Sequence, residues 1–208
     1  ALKEKVDIIG LSGLITPSID WDIVLSIKGN AKTLLQGERI ILNFLQRMSG
    51  IATITKQYCD LVKDTNARIC DTRKTVPGLR VLDKYAVKMG GGKNHRMNLS
   101  DGILIKDNHL FLIKQAGGSI TEKLRQLLHS VSLELLVEIE VSSIEEFLLV
   151  KDAEVKVIML DNMSVRDIIK AVRLNSKKIL LEASGGINKQ NIRRIAETGV
   201  DLISIGSL

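Results

Sequence analysis

Six short apolar runs, each followed by polar residues and then by a helical stretch, constrain this chain more than any other feature. They lie at 67–70, 102–106, 135–141, 155–160, 178–181 and 202–205. Helical spacing between them is clearest over 164–174 and 188–197, where Ser164 and Asn188 are residue types that cap helix starts. Strands alternating with helices in this way are parallel and joined by right-handed crossovers. The fold class is therefore α/β, either a barrel or an open doubly wound sheet. The run Val137-Glu138-Ile139-Glu140-Val141 separates the two. Alternate side chains of a strand share a face, so both glutamates lie on one side and the apolar residues on the other. Helices on both faces of an open sheet would strip those carboxylates of water at a cost of several kcal/mol. A barrel mouth offers water, cations and ligand, so a six-stranded (β/α) barrel is expected, with both glutamates at its mouth.

Upstream, Ile41, Phe44, Leu45, Met48, Ile51, Ala52, Tyr58 and Val62 recur at three- and four-residue spacing and predict a long helix over 38–62. Gly50 inside it costs about 1 kcal/mol relative to Ala, which predicts a close approach there. Cys59 and Cys70 lack metal-type spacing and read as free thiols of a reducing, cytoplasmic compartment. No apolar run approaches the roughly 20 residues of a membrane span. Lys3 and Lys5 before the apolar stretch 8–15 resemble a signal peptide, but Asp7 and Pro17-Ser18-Ile19-Asp20 argue against one. A chain opening on Ala1 reads as a fragment, a processed form or an engineered piece.

Three polar islands follow strand-like runs: Asp71-Thr72-Arg73-Lys74-Thr75, Gly90-Gly91-Gly92-Lys93-Asn94-His95-Arg96 and Lys106-Asp107-Asn108-His109. They gather Arg73, Lys74, Lys93, Arg96 and Lys106 with His95 and His109, within a chain whose formal charge is already +6. Clustered cations repel one another, and a multiply charged anion would explain them. Aromatic residues are 3% of the chain, too few for the stacking platforms of a nucleic-acid binder. Carboxylates and phosphates are the expected ligands. In α/β barrels chemistry collects where strands end, and here Glu138 and Glu140, Asp161-Asn162, Glu182 to Gly186 and Gly206-Ser207 stand at the later strand ends. Ser184-Gly185-Gly186 before a helix suits a phosphate, and Gly206 after the last strand strengthens that reading because barrel phosphate sites favour the last loops. Glu140 and Asp161 either pair with Lys106 or Arg73, or hold hydroxyls or Mg²⁺, a cation of hard oxygen ligands. His129 reads as structural.

The ordered motifs Gly37-Glu38-Arg39, Asn43-Phe44-Leu45-Gln46-Arg47-Met48-Ser49-Gly50, Asp71-Thr72-Arg73-Lys74-Thr75-Val76-Pro77-Gly78, Gly91-Gly92-Lys93-Asn94-His95-Arg96, Ile105-Lys106-Asp107-Asn108-His109, Val137 to Val141, Leu160-Asp161-Asn162 and Glu182 to Ile187 resemble the quinolinate phosphoribosyltransferase family. The resemblance runs from about Ile23 to Leu208. It implies an open six-stranded α/β barrel that converts quinolinate and phosphoribosyl pyrophosphate, with Mg²⁺, to nicotinate mononucleotide, pyrophosphate and CO₂ in NAD synthesis. Carried over by motif, Arg73, His95, Arg96 and Lys106 line the quinolinate site, with Lys74 at its rim. Arg39 is similar to an arginine that the family supplies from the neighbouring subunit of a homodimer. Glu140 and Asp161 resemble the acids that hold the ribose hydroxyls and Mg²⁺ and, with Lys106, are taken as catalytic. Ser184, Gly185, Gly186 and Gly206 resemble the 5′-phosphate cradle. No covalent nucleophile is expected, and neither nucleic acid nor membrane is an expected partner.

The N-terminal segment departs from that pattern. Residues 23–35 resemble only the last strand of the family's N-terminal domain, and 21–62 read as its remnant plus the long helix, with the barrel over 63–208. Val6 to Ser18 resembles a strand and turn of the flavodoxin-like, cobalamin-binding domain of methionine synthase, with Ser12 and Thr16 at nucleotide-tail positions. The expectation is a fusion near Asp20-Trp21 that adds an extra N-terminal β-α piece to the barrel. Family members also continue beyond Leu208, so ligand binding is expected to outlast catalysis. The alternative is a structural chimera with no enzymatic activity and a vestigial anion site.

Overall fold

The computed structural model describes residues 7–11 (backbone only), 25–131, 135–153, 155–176 and 179–208. Its elements are β1 (Asp7–Leu11), β2 (Leu25–Lys28), α1 (Ala31–Val62), β3 (Arg68–Cys70), α2 (Arg80–Met89), β4 (Gly102–Ile105), α3 (Asp107–Gln115), α4 (Ile120–His129), β5 (Leu136–Val141), α5 (Ile144–Val150), β6 (Val157–Asp161), α6 (Val165–Leu174), β7 (Leu180–Ser184), α7 (Ile192–Ala196) and β8 (Leu202–Ser204). Strands β3 to β8 form one sheet in the order β3-β8-β7-β6-β5-β4, every pair parallel. The edge strands β3 and β4 are not paired with each other, so the barrel is open along one seam. Lys93 lies beside β3 in parallel with Cys70, donating to the Ile69 carbonyl at 2.8 Å and accepting from the Asp71 amide at 3.1 Å.

The expected β-α extension of this barrel is not what β1 provides. It pairs antiparallel with β2 in a separate two-stranded sheet, an arrangement that needs no crossover helix. Ser12 and Thr16 lie outside the described residues.

The apolar core fills the space between the sheet's outer face and its helices. Val137, Ile139 and Val141 of β5 join Ile158, Leu160, Leu181 and Ile203 there, against Phe147, Ile168 and Ile192. The alternate residues, Glu138 and Glu140 among them, face the barrel interior. Only Glu140 reaches the mouth. Glu138 is 2% exposed, because it stands one pleat deeper in the barrel.

Helix α1 begins at Ala31, earlier than the apolar periodicity signals, because Asn30 caps it. The Asn30 carboxamide oxygen accepts from the amides of Lys32 at 2.9 Å and Thr33 at 3.4 Å. The strand read into 23–35 is accordingly only β2. Ser164 caps α6 as expected, accepting from the Asp167 amide at 3.2 Å. Asn188 instead holds the turn before α7, accepting from Gln190 and Asn191 amides, and the helix starts at Ile192. Strand β7 runs on to Ser184, past the point where Glu182 interrupts its apolar run.

Gly50 is not a point of close approach: a Cβ there would meet nothing within 4 Å. The close approach on α1 is at Gly90 instead, where a Cβ would press on the Ala52 carbonyl and stand 2.7 Å from Thr55 Cβ. Thr55 is fully buried and donates to the Ile51 carbonyl at 2.8 Å, so it has no room to give. Gly90→Ala should therefore destabilise the protein by about 1–3 kcal/mol in urea unfolding, whereas Gly50→Ala should be neutral or stabilising.

Candidate active site

A cavity of about 400 Å³ lies over the carboxyl ends of the sheet and touches residues from, or just beyond, all six parallel strands. Arg73 and Lys74 enter from the loop after β3, with Thr72 beside them, and His95 and Arg96 from the segment that follows the seam. Lys106 stands after β4, Glu140 on β5, Asp161 at the end of β6, and Ser184, Gly185 and Gly186 close the wall at β7. Ten residues singled out from the sequence thus share one cavity. Gly206 is just outside its walls, and a Cβ built there would stand 3.8 Å from Lys74 Cδ. Arg39 does not line it and is an exposed residue of α1.

The cationic wall is built by the backbone. The Arg96 guanidinium donates to the Gly102 carbonyl at 2.8 Å. Burial lowers its pKa first, and the neighbouring Arg73 charge lowers it further. Arg73 Nε is buried and, among the described residues, has no hydrogen-bond partner. A guanidinium fork with a free buried donor, beside a second guanidinium, fits a planar carboxylate. Lys106 reaches across to Glu140 at 3.2 Å with its side chain half exposed, so the pairing reading holds for that acid. Asp161 accepts from the Asn162 carboxamide at 2.7 Å. Both acids stay within the cavity wall and offer hard oxygens. His109 takes no part in the cavity wall; its Nδ1 accepts from the Lys106 amide at 2.9 Å and caps α3.

Opposite the cations, the ends of β6 and β7 are locked together. The Asn162 amide donates to the Ser184 carbonyl at 2.9 Å, with Asn162 at φ 53°. Gly185 follows at φ +90°, and a Cβ there would land on the Asn162 carboxamide and 2.8 Å from its amide nitrogen. Backbone that turns through two positive-φ glycines in succession, Gly185 and Gly186, has the form of an anion-binding nest.

Beneath His95 the interior holds a group that sequence reasoning missed. His95 Nε2 lies 2.9 Å from Glu138 Oε2 and 3.7 Å from Glu182 Oε2. Its Nδ1 accepts from the Arg96 amide at 3.1 Å, which leaves the ring proton on Nε2 for Glu138. The Ser204 hydroxyl donates to Glu182. These three side chains bring ligand-type atoms within 4.8 Å of one another, with the His95–Glu138 contact the shortest between His95 and the two acids. The alternation of Glu138 and Glu182 with apolar neighbours was visible in the sequence, but not the depth at which they sit.

Burial, then repulsion from Glu138, raises Glu182 to about 7. The hydrogen bond with Glu138 raises His95 above its ordinary 6.5, against the opposing effect of burial. The folded protein thus holds more protons than the unfolded chain between the ordinary 4.5 of Glu182 and about 7. The contribution of Glu182 to stability falls as pH rises through that window, and the His95 contribution is lost in the same direction above 6.5. Glu182→Gln should flatten this slope in melting curves and raise stability at pH 8 by about 1–3 kcal/mol.

An open parallel barrel thus gathers cations, rim acids and a glycine turn at its strand ends. Residues 51–208 match the description "Quinolinate phosphoribosyl transferase, C-terminal domain", and residues 19–49 match its N-terminal domain. The chain belongs to the quinolinate phosphoribosyltransferase family. It is 44% identical over 185 residues to a probable nicotinate-nucleotide pyrophosphorylase (carboxylating) of Synechocystis, covering 88% of this chain and 61% of the relative. It is 43% identical over 188 residues to the nicotinate-nucleotide pyrophosphorylase (carboxylating) of Mycobacterium leprae, covering 89% and 64%. The solved nicotinate-nucleotide pyrophosphorylase of Ehrlichia chaffeensis superposes with a TM-score of 0.84 at 45% identity, over 98% of this chain and 72% of that one. The chain spans between 55% and 64% of the length of the curated relatives it matches.

Proposed function

We propose that the cavity binds quinolinate and phosphoribosyl pyrophosphate and joins them, releasing pyrophosphate and CO₂ and yielding nicotinate mononucleotide for NAD synthesis. The observation that carries this reading is the buried Arg73 Nε, without a hydrogen-bond partner among the described residues, beside Arg96 and in one cavity with the glycine turn. Arg73, Arg96 and Lys106 neutralise the two carboxylates, with His95 lining the same site and Lys74 at the rim. Ser184, Gly185 and Gly186 hold the 5′-phosphate, with Gly206 close by. Glu140 and Asp161 hold the ribose hydroxyls. Their oxygens also fit Mg²⁺, which would screen the pyrophosphate leaving group.

The ring nitrogen attacks C1′ as the bond from C1′ to the pyrophosphate oxygen breaks, so positive charge builds on the sugar. Preorganised carboxylates nearby stabilise that charge. The C2–carboxylate bond then breaks, leaving its electron pair at C2 beside a cationic ring nitrogen, and a proton replaces CO₂. The protein's part is to orient and neutralise. No thiolate is needed, and burial raises the pKa of both Cys59 and Cys70. Reading Arg39 as a residue for a neighbouring copy is supported by its exposure on α1, and we place the protein in the cytoplasm as a homodimer acting on these small anions. Ultraviolet detection of nicotinate mononucleotide from both substrates with Mg²⁺ tests the proposal. Absence of product from the folded protein, across substrate and Mg²⁺ concentrations, would defeat it.

A further inference from the structure

We propose that α2 is a splint, and that Arg80 and Lys84 on it are positioning residues for the two cation-bearing loops at either end of that helix. The proposal rests on the anion-binding reading of the cavity. Arg80 and Lys84 are four residues apart and so share a face, and neither lines the cavity.

Lys84 is 1% exposed. Its ammonium meets Asp71 Oδ1 at 2.5 Å and donates to the His95 carbonyl at 2.8 Å. The same Asp71 oxygen accepts from the His95 amide at 2.8 Å. One buried ion pair therefore holds the main chain of His95 at both its N–H and its C=O. Asn94 closes the group, donating to Asp71 Oδ2 at 2.6 Å and to the Lys84 carbonyl at 2.8 Å.

Arg80 repeats the pattern one turn earlier. It donates to Thr75 Oγ1 at 3.1 Å and to the Arg73 carbonyl at 3.2 Å in the first loop, and to the Met97 carbonyl at 3.3 Å in the second. Arg80 and Lys84 thus each donate bonds into both loops. The splint is itself anchored, because Asp83 accepts two bonds from Arg47 of α1, at 2.8 and 2.7 Å. A buried ion pair is weak support for stability, since apolar residues of similar volume often serve as well. What this arrangement fixes is the relative placement of Arg73, His95 and Arg96, and a displacement of about 1 Å in such groups costs roughly 10²-fold in rate.

Lys84→Met and Arg80→Met test this. Both should raise the quinolinate KM, by about 10–100-fold for Lys84→Met and less for Arg80→Met, while the phosphoribosyl pyrophosphate KM moves by under about threefold. The cradle rests on β6 and β7, which α2 does not hold. Independently of any substrate, the ¹⁵N imidazole signal of His95 should shift or broaden in Lys84→Met. Lack of turnover by the unmodified protein would defeat the functional reading, and the His95 signal would still decide the splint. Folded variants with an unchanged quinolinate KM and His95 signal would overturn the proposal, as would equal losses for both substrates. Should Lys84→Met fail to fold, the half-buried Arg80 position carries both readouts.

Discussion

Arg73→Ala should lower kcat/KM for quinolinate by about 10²–10⁴, while leaving the protein at least as stable as before. Charge-assisted hydrogen bonds to a desolvated carboxylate contribute roughly 1.5–3 kcal/mol each, and a guanidinium fork makes two. No protein group competes for Arg73 Nε among the described residues. Folding, by contrast, gains from the removal, because Arg73 disfavours the charge on Arg96. Arg73→Lys keeps the charge and loses the fork, so it should fall between. Steady-state kinetics with a urea melt on each variant checks both halves. A loss of several kcal/mol in stability with intact quinolinate use would reverse the assignment of Arg73 from ligand binding to structure.

Gly185→Ala should be the most damaging single-methyl change at the site. Its φ of +90° is strained for any side chain, and the added carbon meets Asn162 at both its carboxamide and its amide nitrogen. Asn162 cannot yield freely. It sits at positive φ itself, donates to the Ser184 carbonyl, and bonds Asp161 through its side chain. Relief would have to move Asp161 or the cradle. We expect about 2–4 kcal/mol of destabilisation and at least about 10²-fold weaker use of phosphoribosyl pyrophosphate. Gly186→Ala supplies the control. It also has positive φ, 60°, but nothing stands within 4 Å of its Cβ, so its stability should fall by only the backbone cost of about 1–2 kcal/mol.

Much of this site was legible in the sequence because strand ends and polar residues coincide. The alternation around Glu138 and Glu140 named the barrel, and Arg73, Lys106, Asp161 and Ser184 were placed on one rim from their positions after strand-like runs, whereas the island carrying His95 and Arg96 follows α2 and not a strand. What periodicity cannot give is depth along a strand. Glu138 and Glu140 share a face, yet one is sealed under His95 and the other pairs with Lys106 at the mouth. Nor does a glycine announce its neighbour: Gly50 on α1 is open, whereas Gly90 is pressed onto that same helix. The Asn30 cap was missed because it precedes the apolar stripe rather than joining it. The Lys84–Asp71 pair was hidden for a plainer reason, since nothing local distinguishes a buried lysine on an amphipathic helix from a solvated one.

In the proposed function, this cavity discriminates a diacid by paired, desolvated cations. Equilibrium titration of the folded protein with quinolinate and with nicotinate, at fixed ionic strength, tests it most directly. Quinolinate should bind at least about 10²-fold tighter, for the one extra carboxylate held by charge-assisted bonds, with the difference abolished in Arg73→Ala. Equal affinities, or a preference for nicotinate, would contradict it.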